Sequence, residues 1–482
     1  MTGIDVTAGT YAEPGRELPL IADVDVLVVG GGPAGVGAAV GAARAGASVF
    51  LVEEMGAFGG MWTQGLVITL AGYNSWLRPH RVRVVDGIGG DWLRRATAIG
   101  GAVDHDGWVL STDPEKMKLV ADQMLEEAGV DFLLHALATY PIVDGRTVLG
   151  CIVETREGRQ AIRANVTVDA TGNGDIIARA GHDWVQGDTL QPMTLPVFIS
   201  NVRSVAGVDA AQPARIRIGP EPGPLDASGM DDSNAGRQDV VIDRQAMRDA
   251  RTRGELPPFG GPWFGGLEKD VVWVNAVRII GDATNNRDVT RAEVQGRREA
   301  RVLFEYLRDH VAGFEAARLQ QTAPTIGIRE TRRLLGVATL VGDDIRGAAQ
   351  PTDSIALGAW PIDVHPADGF VGSHVMYVPR PYGIPYRALL PATTDGLLAA
   401  GRCISVDREA LGSVRVGATC TATGHAAGVA AALSAFRRIQ PRNLDVADLR
   451  SSLRSQGALV SVSDLEGSGP VRSSVADTHF RA

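Results

Sequence analysis

Residues Val28–Ala39 read VVGGGPAGVGAA, with glycines at 30, 32 and 35. Just before them, Asp25–Val29 (DVLVV) is a short apolar, β-branched run, the pattern of a buried strand. An Ala-rich helix follows to about Ala45, and ASVFLVEE (Ala47–Glu54) reads as a second buried strand. A strand, turn, helix and strand within about 30 residues make a parallel unit. In Gly30-x-Gly32-x-x-Gly35 the first glycine permits the tight turn and the second lets a pyrophosphate approach the backbone. The third lets helix and strand pack closely. The first helical residues, Pro33 and Ala34, bring the positive end of the helix and its free N–H groups to the phosphates. Glu53 ends the next strand about 20 residues on, where a carboxylate can hold ribose hydroxyls. The acid disfavours a 2′-phosphate, which leaves NAD or FAD ahead of NADP.

The 482 residues correspond to about three structural units at roughly 150 residues each. Hydrophobic residues make up 45% and charged residues 21%, ordinary values for a globular chain with a large core. A net charge of −9 argues against general affinity for nucleic acid. Cys151, Cys403 and Cys420 form neither a CxxC motif nor an even disulfide framework, which fits a reducing cytoplasm. The opening MTGIDVTAGTYAEPGRELPL lacks the basic and apolar regions of a signal peptide, and long apolar runs are broken by polar residues. Neither secretion nor membrane insertion is therefore expected. No His/Cys/Asp cluster has metal-ligand spacing, so no metal is expected.

Further along, Pro114–Ala128 has helical periodicity, opened by the cap-and-proline sequence STDPEK. FLLHALATYPIV, TVLGCIVETREG and RQAIRANVTVDATG read as strands joined by turns at DGR and EGRQ. Residues 204–238 read as a loop or lid, DVVWVNAVRII as a strand, and Thr290–Arg308 as a long amphipathic helix. Residues 355–390 mix short strands with Pro turns, and the tail from about Gln456 reads as irregular. VGATCTATGHAAGVAAAL (Val416–Leu433) is almost all small. Its Gly417, Thr421, Gly424 and Gly428 recur at near-helical spacing, so another backbone can come close. His425 and the interspersed threonines and cysteine weigh against a membrane helix pair.

VDATGNGD (Val168–Asp175) is a strand followed by Thr171 and Gly172. It resembles the element by which flavoproteins of the glutathione-reductase type return to the nucleotide domain. Gly172 lets the backbone near the cofactor, and Asp175 either touches the adenosine end or caps the next helix. LLAAGRCIS (Leu397–Ser405) is a strand ending at Gly401. Many flavoproteins follow this glycine with an Asp bound to the ribityl chain. This chain has Arg402, whose fork of donors suits pyrophosphate.

These segments, with GGMWTQGL, TIGIRETRRLLG, GIPYRALLP and SVRVGATCTATGHAAGVAAAL, span about residues 24 to 435. Together they resemble the bacterial FAD-dependent oxidoreductase family, related to the fumarate-reductase-like and glutathione-reductase-like FAD folds. The resemblance implies bound FAD and a redox reaction and leaves the substrate open. It implies that Gly60 and Met61 lie near the flavin ring and that Ala138 lies on the strand that meets adenine through its backbone. A helix opening at Gly417, Ala418 and Thr419 then presents backbone N–H groups to the flavin ring.

The expected fold is α/β. A discontinuous Rossmann-like FAD-binding domain (20–195 and 390–440) carries an inserted substrate domain with a mixed or antiparallel sheet (196–389) and a C-terminal tail (441–482). No second GxGxxG follows a strand, so electrons pass directly to or from a small-molecule substrate or an external acceptor or donor. His365 (in WPIDVHP) and His374 (in GSHVMYVP) are acid–base candidates because imidazole titrates near neutrality. Tyr382 stands nearby in sequence, with Tyr377 and Tyr386. Arg329 and Arg333, four apart, share a face if their segment is helical. They either clamp a substrate carboxylate or pair with acids such as Glu330. Arg387 and Arg415 carry the same ambiguity. The leading expectation is hydride transfer between a small organic molecule and FAD. Alternatives are a flavin monooxygenase and an FAD-binding RNA-modification factor or scaffold. A homo-oligomer is left open.

Overall fold

The computed structural model describes residues 10, 13–77, 82–105, 109–203, 222–224, 240–366 and 375–465. Strand β1 (Leu20–Val29) passes through the Gly-rich turn into helix α1 (Pro33–Arg44) and returns as β2 (Val49–Val52). β3 (Asp131–Leu133) follows, then the antiparallel run β4 (Leu137–Asp144), β5 (Thr147–Thr155) and β6 (Gly158–Asp169). The sheet order is β3-β2-β1-β6-β5-β4. β3, β2, β1 and β6 run parallel, and β2, with the last four residues of both β1 and β6, is fully buried, as the centre of a parallel sheet is. β1 starts five residues earlier than its apolar run, because pairing with β6 continues past a bulge near Leu20.

A second sheet is wholly antiparallel. It comprises β7 (Val197–Ser200), β8 (Phe259–Gly265), β9 (Val271–Val277) and β10 (Arg318–Thr322), in the order β8-β9-β7-β10. The long helix α2 (Asn286–His310) covers it with Ala292, Ala300, Leu303 and Leu307, and Asn285 caps α2 through the Arg287 N–H. Strand β11 (Leu397–Ala399) then rejoins the first sheet beside Thr167–Asp169, and the chain enters α3 (Gly417–Arg437). Packing divides the chain differently from the expected 196–389 insertion. The second core draws on Met193–Ile326 together with Leu66, whereas Ile355, Leu357, Tyr382 and Ile384 belong to the first core. Their two-stranded antiparallel sheet, Ser354–Gly358 with Tyr382–Pro385, lies against α3 rather than on the second sheet. Of the expected loop or lid at 204–238, only 222–224 fall among the described residues, with Gly223–Pro224 paired to Tyr377–Val378.

The small-residue stretch is α3, and its glycines set how close it comes to α1. A Cβ at Gly424 would lie 2.0 Å from the Ala34 carbonyl oxygen, and one at Gly428 would lie 2.0 Å from that of Ala38. Reciprocally, a Cβ at Gly37 would lie 2.5 Å from the Thr421 carbonyl oxygen, and one at Gly41 would lie 2.7 Å from the His425 ring. Both sides of the pairing rise in step, so the helices run parallel and begin at the same edge of the sheet. His425 is buried in this seam, with Nε2 bonded to Gln456 Oε1 at 2.9 Å. Burial lowers its pKa to about 4, against the smaller raising effect of Gln456.

Gly424→Ala is expected to destabilise the protein by about 1–3 kcal/mol through overpacking, read as a lower urea midpoint. An unchanged midpoint would contradict the close approach. The folded His425 ring takes up a proton less readily than the unfolded ring. Its contribution to stability is therefore complete above pH 6.5 and lost as pH falls toward 4. The loss reaches about 3 kcal/mol at most. Relative to the wild type, His425→Asn is expected to flatten the decline between pH 6.5 and 4, and identical slopes would exclude this source.

Candidate active site between the two cores

A cavity of about 690 Å³ extends from the Gly-rich turn after β1 to the second sheet. At its first end the three glycines differ in what they do. Gly30 adopts φ +97°, and a Cβ there would strike the Ala170 carbonyl oxygen at 2.7 Å. Gly35 faces away from the cavity, and its Cβ would lie 1.7 Å from the Gly30 carbonyl oxygen. It packs the helix against the strand turn rather than lining the cavity. Gly32 lines the cavity, and a Cβ there would meet nothing nearer than the Gly60 Cα at 4.0 Å. Pro33 and Ala34 continue this wall, Gly60 and Met61 oppose it, and Ala138 lies further along. The Ala138 carbonyl already accepts from Arg179 Nη1 at 2.9 Å.

Neither α1 nor α3 has a side-chain cap. The helices that open at Pro114, Arg244, Asn286, Arg408 and Val446 are each capped by an Asp or Asn. The helix Ile88–Ala98 is also uncapped, but it is the α1 and α3 ends that meet the cavity, at Gly32–Ala34 and at Val416–Gly417. Their free N–H groups and positive dipole ends suit a bound anion. With the open space beside Gly32, they fit a cofactor carrying a pyrophosphate.

Several side chains stiffen this end. Glu53 is buried on the wall, with Oε2 accepting from Gly31 N at 2.5 Å and Oε1 from Met55 N at 2.8 Å. Burial raises its carboxyl pKa, and these two backbone donors oppose that rise. Thr171 and Gly172 line the wall, and the Thr171 hydroxyl donates to Asp169 Oδ1 at 2.7 Å. Asp169 was not singled out from sequence. It caps the following helix by accepting from Ile176 N and Ile177 N at 2.9 and 3.0 Å. The cap expected of Asp175 therefore belongs to Asp169, and Asp175 instead faces the cavity while paired with Arg332 at 2.9 Å. Gly401 adopts φ +75° beside Ala34. Arg402 donates to Thr331 Oγ1 at 2.9 Å and to Asn173 Oδ1 at 2.7 Å. Burial lowers its pKa only to about 10, so it stays charged at neutral pH beside Gly172.

Gly417 lines the cavity, and a Cβ there would come within 2.1 Å of Trp62 Nε1. Ala418 and Thr419 are fully buried away from the cavity, and Cys420 returns to it. Helical rotation puts residues three apart on one face and turns the side chains of the two between into the core, so what 418 and 419 can offer a ligand is their first-turn backbone N–H groups.

The far end is charged. Arg278, Arg329, Arg415, Asp363 and His365 all line it. Arg415 Nη2 donates to the Asp363 carbonyl at 3.0 Å and approaches its carboxylate at 3.4 Å. His365 Nε2 lies 3.4 Å from Asp363 Oδ2. Burial pushes the His365 pKa well below its ordinary value. Asp363 opposes this, and Arg329 and Arg278 add to it, so the ring is neutral at pH 7.

Arg329 and Arg333 share no helical face. Their segment is irregular before the short strand Arg333–Leu334, so Arg333 pairs with Glu330 at 2.5 Å while Arg329 meets the cavity. Tyr382 is fully buried in its two-stranded sheet, bonded to Ser413 Oγ at 2.5 Å, and does not reach the cavity. This removes it from the acid–base candidates. Arg387 pairs with Asp353 at 2.9 Å. His374 lies outside the described residues. Arg278 and Asp363 were missed, although an arginine closing the apolar strand DVVWVNAVRII was a visible signal.

The family model described as FAD dependent oxidoreductase matches residues 25–453. Two curated relatives are digeranylgeranylglycerophospholipid reductases. The one from Methanospirillum hungatei is 28% identical over 184 residues, 36% of this chain and 42% of that one. The one from Methanoculleus marisnigri is 32% identical over 171 residues, 33% and 42% of the two chains. The chain thus spans about two fifths of the length of these relatives. Among solved structures, a geranylgeranyl bacteriochlorophyll reductase-like protein from Thermoplasma acidophilum is 13% identical. The match covers 91% of this chain and 84% of that one at TM-score 0.44. A flavin-dependent brominase is 12% identical over 90% and 83% at TM-score 0.43. Among the described residues, no helix is long and apolar enough to cross a membrane, and no group of His, Cys, Asp or Glu is arranged for a metal.

Because Gly32 has ordinary helix-entry backbone and open space, Gly32→Val is expected to leave the stability of the unloaded protein within about 0.5 kcal/mol. FAD binding is expected to weaken by roughly a hundredfold or more. Flavin fluorescence titration beside thermal unfolding separates the two effects, and equal FAD affinity would show that the cofactor does not pass Gly32.

Proposed function

Because the chain belongs to the FAD-dependent oxidoreductase family, we propose that it transfers a hydride between a small organic substrate and its bound FAD, with the substrate at the arginine-lined end of the cavity. The observation that carries this reading is the continuity of one cavity from the Gly32 cradle to the buried His365–Asp363 pair. Gly32, Ala34, Glu53, Gly172 and Arg402 would hold the dinucleotide, and Gly60, Met61 and Gly417 would flank the ring. FAD supplies the hydride site at its ring N5.

The remaining work falls to the protein. His365, neutral at pH 7, is suited to take or return the substrate proton. Asp363 steadies the charged imidazole, and Arg415 holds Asp363 in place. Trp263 and Trp360 wall the substrate end with apolar surface, which restricts water. An external acceptor or donor completes the electron balance, since no second dinucleotide motif follows a strand. Three free, buried cysteines support a reducing cytoplasmic location.

A second reading is reduction of a prenyl lipid with an anionic head. The names of the two curated relatives and the tryptophan wall of Trp76, Trp263 and Trp360 support it.

Anaerobic screening for compounds that bleach the bound flavin tests the main reading. With such a compound, His365→Asn is expected to slow single-turnover flavin reduction by about 10²–10⁴-fold and leave FAD affinity unchanged. An unaltered rate removes His365 from the proton path. NAD(P)H-driven oxygen uptake coupled to a hydroxylated product would favour the monooxygenase alternative.

A further inference from the structure

The charge at the substrate end does not balance. Arg278 is 3% exposed and Arg329 7%, and both line the cavity. Arg278 Nη1 donates to Thr194 Oγ1 and the Val277 carbonyl at 3.1 Å and to Asn275 Oδ1 at 3.3 Å. Arg329 Nη1 donates to the Pro192 carbonyl at 2.6 Å. These are neutral partners. Arg415 meets Asp363, and its Nε is a buried donor with no hydrogen-bond partner. Among the described residues, Asp363 is the only carboxylate lining this end. His365 adds no charge at neutral pH, since burial holds its ring deprotonated.

Among the described residues, three guanidinium groups therefore stand against one carboxylate, an excess of two positive charges. Burying charge without a counter-charge is costly. Such an excess in a cavity wall points to a ligand that brings the missing negative charge. The FAD pyrophosphate does not account for Arg278 and Arg329, because it is served by Arg402 and the uncapped α1 end beside Gly172 and Gly32, and neither arginine feels Arg402; Arg415 stands between, within electrostatic reach of Arg402 on one side and of Arg278 and Arg329 on the other.

Taking the substrate's place in the cavity from the hydride-transfer reading above, we propose that the group bound at this end is a dianion, either a pair of carboxylates or a single phosphate, clamped by Arg278, Arg329 and Arg415. Guanidinium forks match both groups through paired hydrogen bonds.

The test uses the FAD-loaded protein, with binding followed by calorimetry and by perturbation of the flavin absorption spectrum. Malonate, succinate and glutarate form the dicarboxylate arm and phenyl phosphate the phosphate arm. Acetate and monomethyl succinate are the single-charge controls. At least one dianion is expected to bind about ten- to a hundredfold more tightly than the controls. Arg278→Gln and Arg329→Gln should each remove a similar factor, and Arg329→Lys should restore part of it. Should a glutamine variant fail to load FAD, Arg329→Lys against wild type carries the comparison, because it keeps the charge and loses the fork.

Equal affinity for dianions and monoanions overturns the proposal. So do variants that shift the flavin midpoint potential but leave dianion binding intact, since the arginines would then balance charge on the reduced ring. If dianions bind with the expected pattern but no compound bleaches the flavin, the clamp stands and the hydride-transfer reading fails.

Discussion

Everything at the cofactor end depends on two backbones touching. Gly37 and Gly41 on α1 and Gly424 and Gly428 on α3 remove the side chains that would otherwise hold the helices apart. The pairing makes the helices parallel and brings both N-termini to the edge of the sheet where β1 and β6 end. A chain whose first strand and last long helix lie almost 400 residues apart thus builds one anion-binding rim. The second sheet and its helix occupy the intervening chain and supply the far wall.

The two ends of the cavity use different kinds of positive charge. At the Gly-rich turn it is mostly partial charge on backbone N–H groups, fixed in direction and insensitive to pH. At the far end it is full charge on Arg278, Arg329 and Arg415 in a poorly solvated wall. Directed partial charge suits a cofactor that stays bound. Full charge in low dielectric is strong only when a counter-charge arrives, which suits a ligand that comes and goes.

Much of the first end was legible because it rests on local pattern. Glycine spacing, a strand before and an acid after are short-range features, and Gly30, Gly32 and Glu53 line the cavity. The misreadings came where rotation or tertiary packing decides. A helix turns each residue by about 100°, so Gly417 and Cys420 share the cavity face while the side chains of Ala418 and Thr419 enter the core. Arg329 and Arg333 looked equivalent on a helical template that this segment does not follow. Tyr382 and His365 are close in sequence, but pairing with Ser354–Gly358 buries Tyr382 in the core, while His365 stands on the cavity wall. The charged end was harder to see. Apart from the Asp363–His365 pair, its members lie far apart, at 278, 329 and 415, and no short pattern joins them.

Glu53 has one more consequence. Both of its carboxylate oxygens are engaged by the backbone N–H groups of Gly31 and Met55 without any ligand. The loop that must receive a dinucleotide is thus already held in its receiving shape. Loading sacrifices little backbone freedom there, so binding energy is not spent on ordering the loop. The cradle behaves as a rigid mould rather than a closing hand.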